Sequence, residues 1–220
     1  MSVNYHAYQS RGVLFGECEK VCGQWREEFT GYDPERIAGI LHLTYDEQYL
    51  YIEYFRTAYR LCLGNGVLEK QAGGSWTENV YFNEAMAVYH LFYYTKDLPR
   101  NSGKWVPSHT IDGVVSRNLA DDPLLAPFEK MYTGKLDVLD KVCQKMGGVK
   151  LPAGDVSYEF EAFPQVHLRL VFWDADEDFS SQAQVLVDQC VTDYLHYETV
   201  GCLISDLLEK LAKEIVNEEE

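Results

Sequence analysis

The segment from Phe160 to Glu198, FEAFPQVHLRLVFWDADEDFSSQAQVLVDQCVTDYLHYE, limits the fold more than any other. Two runs rich in β-branched and aromatic residues, Val166–Trp173 and Ala183–Val187, flank a tight acidic connection, Asp174-Ala175-Asp176-Glu177-Asp178-Phe179. Such runs, bounded by a polar turn, read as β-strands. Alternation along the first run puts Val166, Leu168, Leu170 and Phe172 on one face. His167, Arg169, Val171 and Trp173 line the other, a mixed polar and aromatic face suited to the wall of an open pocket, and equally to a solvent-facing or helix-covered side.

Upstream the period changes several times. Tyr5 to Phe29 reads as a helix with Leu14, Val21, Cys22, Trp25 and Phe29 on its apolar side. A short helix follows from Asp33, where Asp suits the N-cap and Pro34 the first helical position. Ile40–Tyr45, Tyr49–Phe55 and Ala58–Leu63 read as strands, and Gly64-Asn65-Gly66 as a turn, giving an antiparallel meander. Asn83 is expected to cap a helix over Glu84–Tyr94. Leu98–Asp121 reads as a loop with local structure near Trp105-Val106 and Thr110-Ile111. Helices are then expected from Asp122-Pro123 to Tyr132 and over Leu136–Met146, the latter closed by Gly147-Gly148. A strand at Val156–Glu161 precedes the opening segment, and a helix from Glu198 to Val216 ends the pattern.

Helices, strands, helices, strands and a last helix, without βαβ alternation, predict an α+β fold. The expected architecture is a mainly antiparallel sheet, or sheets, with flanking helices in a single compact domain. Residues 1–30 read as an N-terminal helical extension and 31–220 as the domain proper. With 46% hydrophobic residues and 16 Tyr, 10 Phe and 4 Trp, the chain can fill one substantial core.

Thirty-five acidic against 19 basic residues leave a net charge of −16. That charge repels phosphate backbones, and no run of Lys or Arg offsets it, so nucleic acid is not expected as a partner. No stretch approaches the roughly 18 apolar residues of a membrane span. The beginning of the chain, MSVNYHAYQSRG, lacks an apolar signal region, so the six cysteines are expected to be reduced thiols in the cytoplasm.

Three groups of residues could carry chemistry. Asp174, Asp176 and Asp178 alternate as oxygen ligands of a hard cation do, but neither the helix-loop-helix setting nor the glycine of a calcium loop is present. The bland alternative is a solvated acidic turn with Phe179 packed on the core. Asp176, Glu177, Asp188 and His196, with Asp193 and Glu198 nearby, could form a carboxylate and imidazole site for general-base work. Asp188 could equally begin a turn and Glu198 a helix. His167, Arg169 and Trp173 could line a cofactor pocket. Cys18 and Cys22 are four residues apart, but no second ligand pair completes a zinc site. The chain has no phosphate-loop glycine motif, no nucleophile elbow and no His-Glu-x-x-His.

A combination of short motifs resembles the prokaryotic domain-of-unknown-function family numbered 3786. It comprises Gly147-Gly148, Gly154-Asp155, Phe163-Pro164, Phe172-Trp173, Asp176-Glu177-Asp178-Phe179, Asp188, and Tyr194-Leu195 with Glu198. Leu91-Phe92-Tyr93-Tyr94 and Gly103-Lys104-Trp105-Val106 extend it upstream. Asp178 stands where the family more often has Glu. The resemblance implies an anaerobe's cytoplasmic domain, with relatives near corrinoid-dependent one-carbon proteins and some with iron–sulfur cysteine motifs. This chain has no Cys-x-x-Cys, so cluster binding does not carry over.

The expectation is a non-catalytic binding or accessory domain with an unidentified protein or small-molecule partner and an unidentified cofactor. The alternatives are an enzyme using the 174–198 carboxylates, and a homodimer joined through the Tyr-rich segment Tyr49–Tyr59.

Overall fold

The computed structural model describes residues 13–111 and 124–219. The described residues begin with backbone pairing rather than helix. Phe15 N donates to Val80 O and Phe82 N to Val13 O, so a 3-10 turn over Phe15–Glu17 precedes α1, Glu19–Glu28. The expected helix therefore starts later than read, and its part before residue 13 lies outside the described residues. Helix α2, Glu35–Leu41, follows, with Asp33 Oδ1 accepting from Glu35 N as a cap does. The strand expected at Ile40–Tyr45 does not form. Ile37, Ala38 and Leu41 share a buried helix face, and His42 ends the helix in a left-handed conformation.

Strands β1 (Tyr49–Tyr54), β2 (Thr57–Cys62), β3 (Leu68–Ala72) and β4 (Ser75–Thr77) form the antiparallel meander in sequence order. Leu50, Ile52, Tyr54, Tyr59 and Leu61 turn inward and are buried. Tyr49 lies on the other face, where the Arg60 guanidinium sits 3.9 Å from its ring centroid and 4.4 Å from that of Trp76. Of the Tyr-rich segment Tyr49–Tyr59, Tyr54 and Tyr59 belong to the core, while Tyr49 and Tyr51 stay half-buried on the outer face.

Helix α3, Phe82–Tyr94, begins one residue before the expected cap. Tyr81 N donates to Glu84 Oε2, while Asn83 falls inside the first turn and turns its amide toward the last helix. Edge strand β5 is Trp105–Pro107. Helices α4 (Ala126–Tyr132) and α5 (Leu136–Lys145) come next; the expected start of α4 at Asp122-Pro123 lies outside the described residues. Strands β6 (Val149–Lys150), β7 (Val156–Phe163), β8 (Val166–Trp173) and β9 (Gln182–Asp188) complete a second antiparallel sheet, ordered β5-β9-β8-β7-β6. Helix α6, Tyr197–Glu219, ends the described chain.

The core is continuous across these elements, so the architecture is the expected compact α+β fold. Helix α6 packs on α3 and α5, α4 lies on β9, and α5 lies on β7. The two sheets meet where the Tyr54 ring stacks on Phe163 at 4.8 Å and Phe55 N donates to Ala162 O. That junction follows a two-residue turn between Tyr54 and Thr57. Phe55 and Arg56 both take positive φ there, 43° and 60°. Asn-Gly would occupy such a turn without strain, whereas other side chains cost roughly 1–2 kcal/mol per residue. No described helix is long and apolar enough to cross a membrane.

Candidate functional site

The acids singled out in the sequence are distributed along β9 rather than gathered. Gln182 pairs with Trp173 at one end of the strand, and Val187 pairs with Leu168 toward the other. Six residue steps separate Gln182 from Asp188, about 20 Å at ~3.3 Å per residue. Asp174, Asp176, Glu177 and Asp178 lie at the first end, Asp188 at the second.

Most of these carboxylates are occupied by the backbone. Asp174 accepts from Gly134 N and Ala175 N, which fixes the connection between α4 and α5. Asp176 Oδ1 accepts from Asp178 N and Phe179 N at 2.8 Å each, an ordinary Asx turn. Glu177 and Asp178 are exposed. Phe179 is 69% exposed and does not pack on the core. Asp188 accepts four hydrogen bonds, from Ser102 N and Oγ, Gly103 N and Cys190 N. Burial opposes its charge, but those donors win and hold its pKa below the usual carboxylate value. Asp193 is buried and paired with Lys96 at 2.6 Å and Arg100 at 3.3 Å. Among the described residues, no group of three or more His, Cys, Asp or Glu is placed to hold a metal ion.

His196 keeps company with rings, not with the β9 acids. Its centroid lies 4.3 Å from Tyr197, 5.3 Å from Tyr94 and 6.2 Å from His90. Glu198 is 3.6 Å from its Nδ1. His90 is pushed down to a pKa of about 4, by burial first and by His196 second, so it is neutral at pH 7. The outer face of the second sheet carries a polar ladder. Glu159 accepts from Arg169 and lies 2.9 Å from His167 Nδ1, and the Arg169 guanidinium is 3.8 Å from the Trp105 ring centroid. Trp173 ends that face, 41% exposed. The thiols are likewise separate in role: Cys22 is in the core, and Cys18 precedes α1 half-buried.

Two features on α6 went unread in the sequence. The first is Asp206, only 7% exposed, which accepts from Tyr54 Oη at 2.8 Å and Asn83 Nδ2 at 3.0 Å. Burial, then Glu84, raises its pKa to about 7, against the lowering pull of Tyr54, Asn83 and Lys210. Glu84 itself accepts from Lys70 Nζ at 2.8 Å. The Tyr59 hydroxyl is buried beside Glu84 without a hydrogen bond of ordinary geometry. The crevice above these groups holds about 40 Å³, room for a few waters and not for a substrate. A signal existed: Asp206 sits three residues after Leu203, beside the apolar face of the last helix.

The second feature is a groove of about 410 Å³ between the β1–β2 turn, the end of α5 and α6. Arg56, Lys145, Lys210 and Lys213 line it together with Phe55, Met146 and Glu214. These cations are too far apart in sequence to register as a basic run. A wider, shallower groove of about 590 Å³ passes over Val13, Phe82, Leu124 and Cys202 and has no cation among its described lining residues.

A protein-family profile described as "Domain of unknown function (DUF3786)" matches residues 33–209. The chain belongs to this family. The DUF3786 span opens just before α2 and closes within α6. Arg56, Lys145 and Asp206 lie inside it, while Lys210 and Lys213 follow its last residue. Helix α1 precedes the span, yet Cys22 and Phe29 are buried in the common core. No curated protein and no solved structure matches the chain.

Proposed function

We propose that this DUF3786 chain is a non-catalytic binding or accessory protein of the cytoplasm. The observation that carries this reading is the use of its acids. Asp174, Asp176, Asp188 and Asp193 spend their oxygens on loop backbone or on Lys and Arg, and the two acidic ends of β9 are about 20 Å apart. An acid–base or metal site needs such groups converging on one cleft. Here they act as clamps that hold loops against a sheet, which suits a scaffold that presents a surface.

The setting in an anaerobe, beside corrinoid-dependent one-carbon proteins, is drawn from the family resemblance. Residues 1–30 are then an extension to the domain at 31–220, anchored by Cys22 and Phe29. Titration calorimetry of the intact chain, handled without oxygen, against corrinoids and folates tests the reading. Saturable binding with the ligand recovered unchanged is the expected result. No binding to any of them overturns the corrinoid and one-carbon assignment. Conversion of a ligand, lost in Asp176→Asn or Asp188→Asn, overturns the non-catalytic reading in favour of an enzyme.

A further inference from the structure

The geometry points to the groove between the β1–β2 turn and α6 as a binding site for a small phosphorylated organic molecule. This rests on the binding-protein reading above and names the ligand class. The first support is charge. The whole chain carries 35 acids to 19 bases, whereas among the described residues this groove sets four cations, Arg56, Lys145, Lys210 and Lys213, against one carboxylate, Glu214. Lys210 and Lys213 are three residues apart on one helix and so lie on neighbouring positions of its surface. Arg56 and Lys210 pair with no carboxylate among the described residues. Lys213 pairs with Glu209 at 2.5 Å and Lys145 with Glu214 at 2.6 Å, so Arg56 and Lys210 are the cations this groove offers first to an anion.

The second support is independent of charge. Phe55 and Arg56 hold a left-handed turn in which neither residue type is relaxed; His42 is the one other described non-glycine residue with positive φ. Strain of this kind persists where side-chain placement matters more than turn economy. Phe55 is fixed by its backbone bond to Ala162 and by its ring contact with Tyr54 at 4.8 Å. Arg56 then projects across the end of α5, over Gly147. The guanidinium lies against Gly147, which takes φ 79° as the cap of α5.

The ligand class follows from these groups. An Arg fork with ammonium groups around it matches the oxygens of a phosphate. Phe55 and Met146 offer an apolar floor for an organic part. The volume lies within the range usual for small-molecule sites, ~300–1,000 Å³. An extended polyanion is disfavoured, because the net charge of −16 beyond the groove would repel it.

The test is titration of the intact protein with phenyl phosphate and with inorganic phosphate at low ionic strength. Phenyl phosphate should bind saturably at one site and more tightly than inorganic phosphate. Arg56→Gly and Lys210→Gln should each weaken it about tenfold or more, while Lys104→Gln, an exposed cation elsewhere, should not. Arg56→Gly also relaxes the turn, so its melting temperature should rise as its affinity falls. A purely structural Arg56 would give the opposite, a lower melting temperature with unchanged binding, and would overturn the proposal. So would the absence of saturable binding, or the same loss in Lys104→Gln. In those cases the binding-protein reading still stands or falls on the corrinoid and folate titrations.

Discussion

Asp206→Asn should make the protein more stable at pH 8 and steeply less stable toward pH 4.5, whereas His90→Gln should tilt the profile the other way. The folded-state pKa of Asp206 is about 7, above its ordinary value of 3.8. Between those limits the folded chain keeps a proton that the unfolded chain releases. Its contribution to stability is therefore full below about pH 4 and is lost as the pH rises through 7. At ~1.36 kcal/mol per pH unit the ceiling is about 4 kcal/mol. His90 works in the opposite sense. Its folded pKa is about 4 against an ordinary 6.5, so its contribution is present above pH 6.5 and lost as the pH falls to 4.

The two slopes offset each other in the native protein across pH 4–7. Removing either exposes its counterpart. Asp140, Asp188, Asp193 and Glu159, whose pKa values are lowered, begin to lose their contributions only at the acid end of this window, and they do so alike in the native protein and in both variants. Urea unfolding at pH 4.5, 6 and 8 checks the prediction. An Asp206→Asn protein with the native slope would show that Asp206 is ionised throughout, and the account of its burial would be wrong.

Phe163→Ala should cost about 3–5 kcal/mol, the range for a large aromatic removed from a core. Phe163 is fully buried and stacks on Tyr54 across the junction of the sheets. Its loss leaves the Phe55–Ala162 backbone bond as the main tie at that point. The amides of β1 and β2 should therefore exchange with solvent disproportionately faster than those of β8 and β9. Phe179→Ala removes the same side chain from an exposed turn and should change stability by no more than about 0.5 kcal/mol. Equal costs for the two would contradict the assignment of the junction.

Much of the fold was legible because local pattern and tertiary context agree. The β8 alternation read in the sequence has Val166, Leu168, Leu170 and Phe172 all buried. Gly147 ends α5 as expected, with Gly148 N donating to Cys143 O. The misreadings occurred where long-range pairing overrode local preference. Residues 13–15 pair with residues 80–82 and so cannot extend the first helix. Ile40 and Leu41 look β-like alone, but Leu41 completes the face that α2 buries and Ile40 packs partly buried beside it. Of β3 only the start, Val67-Leu68 after the turn, was legible, because Leu68–Ala72 is mostly polar, and β4 went unseen because Ser75–Thr77 is only three residues long.

The site was less legible for a related reason. The acidic run Asp174–Asp178 is conspicuous in sequence, yet it forms a turn whose acids bind their own backbone. Arg56, Lys145 and Lys210 are unremarkable in sequence, and only the meeting of a hairpin with two helices puts them around one groove. Charge that is spread along a chain shows its purpose only after the fold has collected it.

The most direct test of the binding-protein account is native mass spectrometry of the intact chain purified without oxygen. The account expects an added mass from a small anionic ligand or a co-purifying protein, with the ligand species reduced in Arg56→Gly and retained in Asp188→Asn. A bare chain, at every condition that preserves the fold, would contradict it.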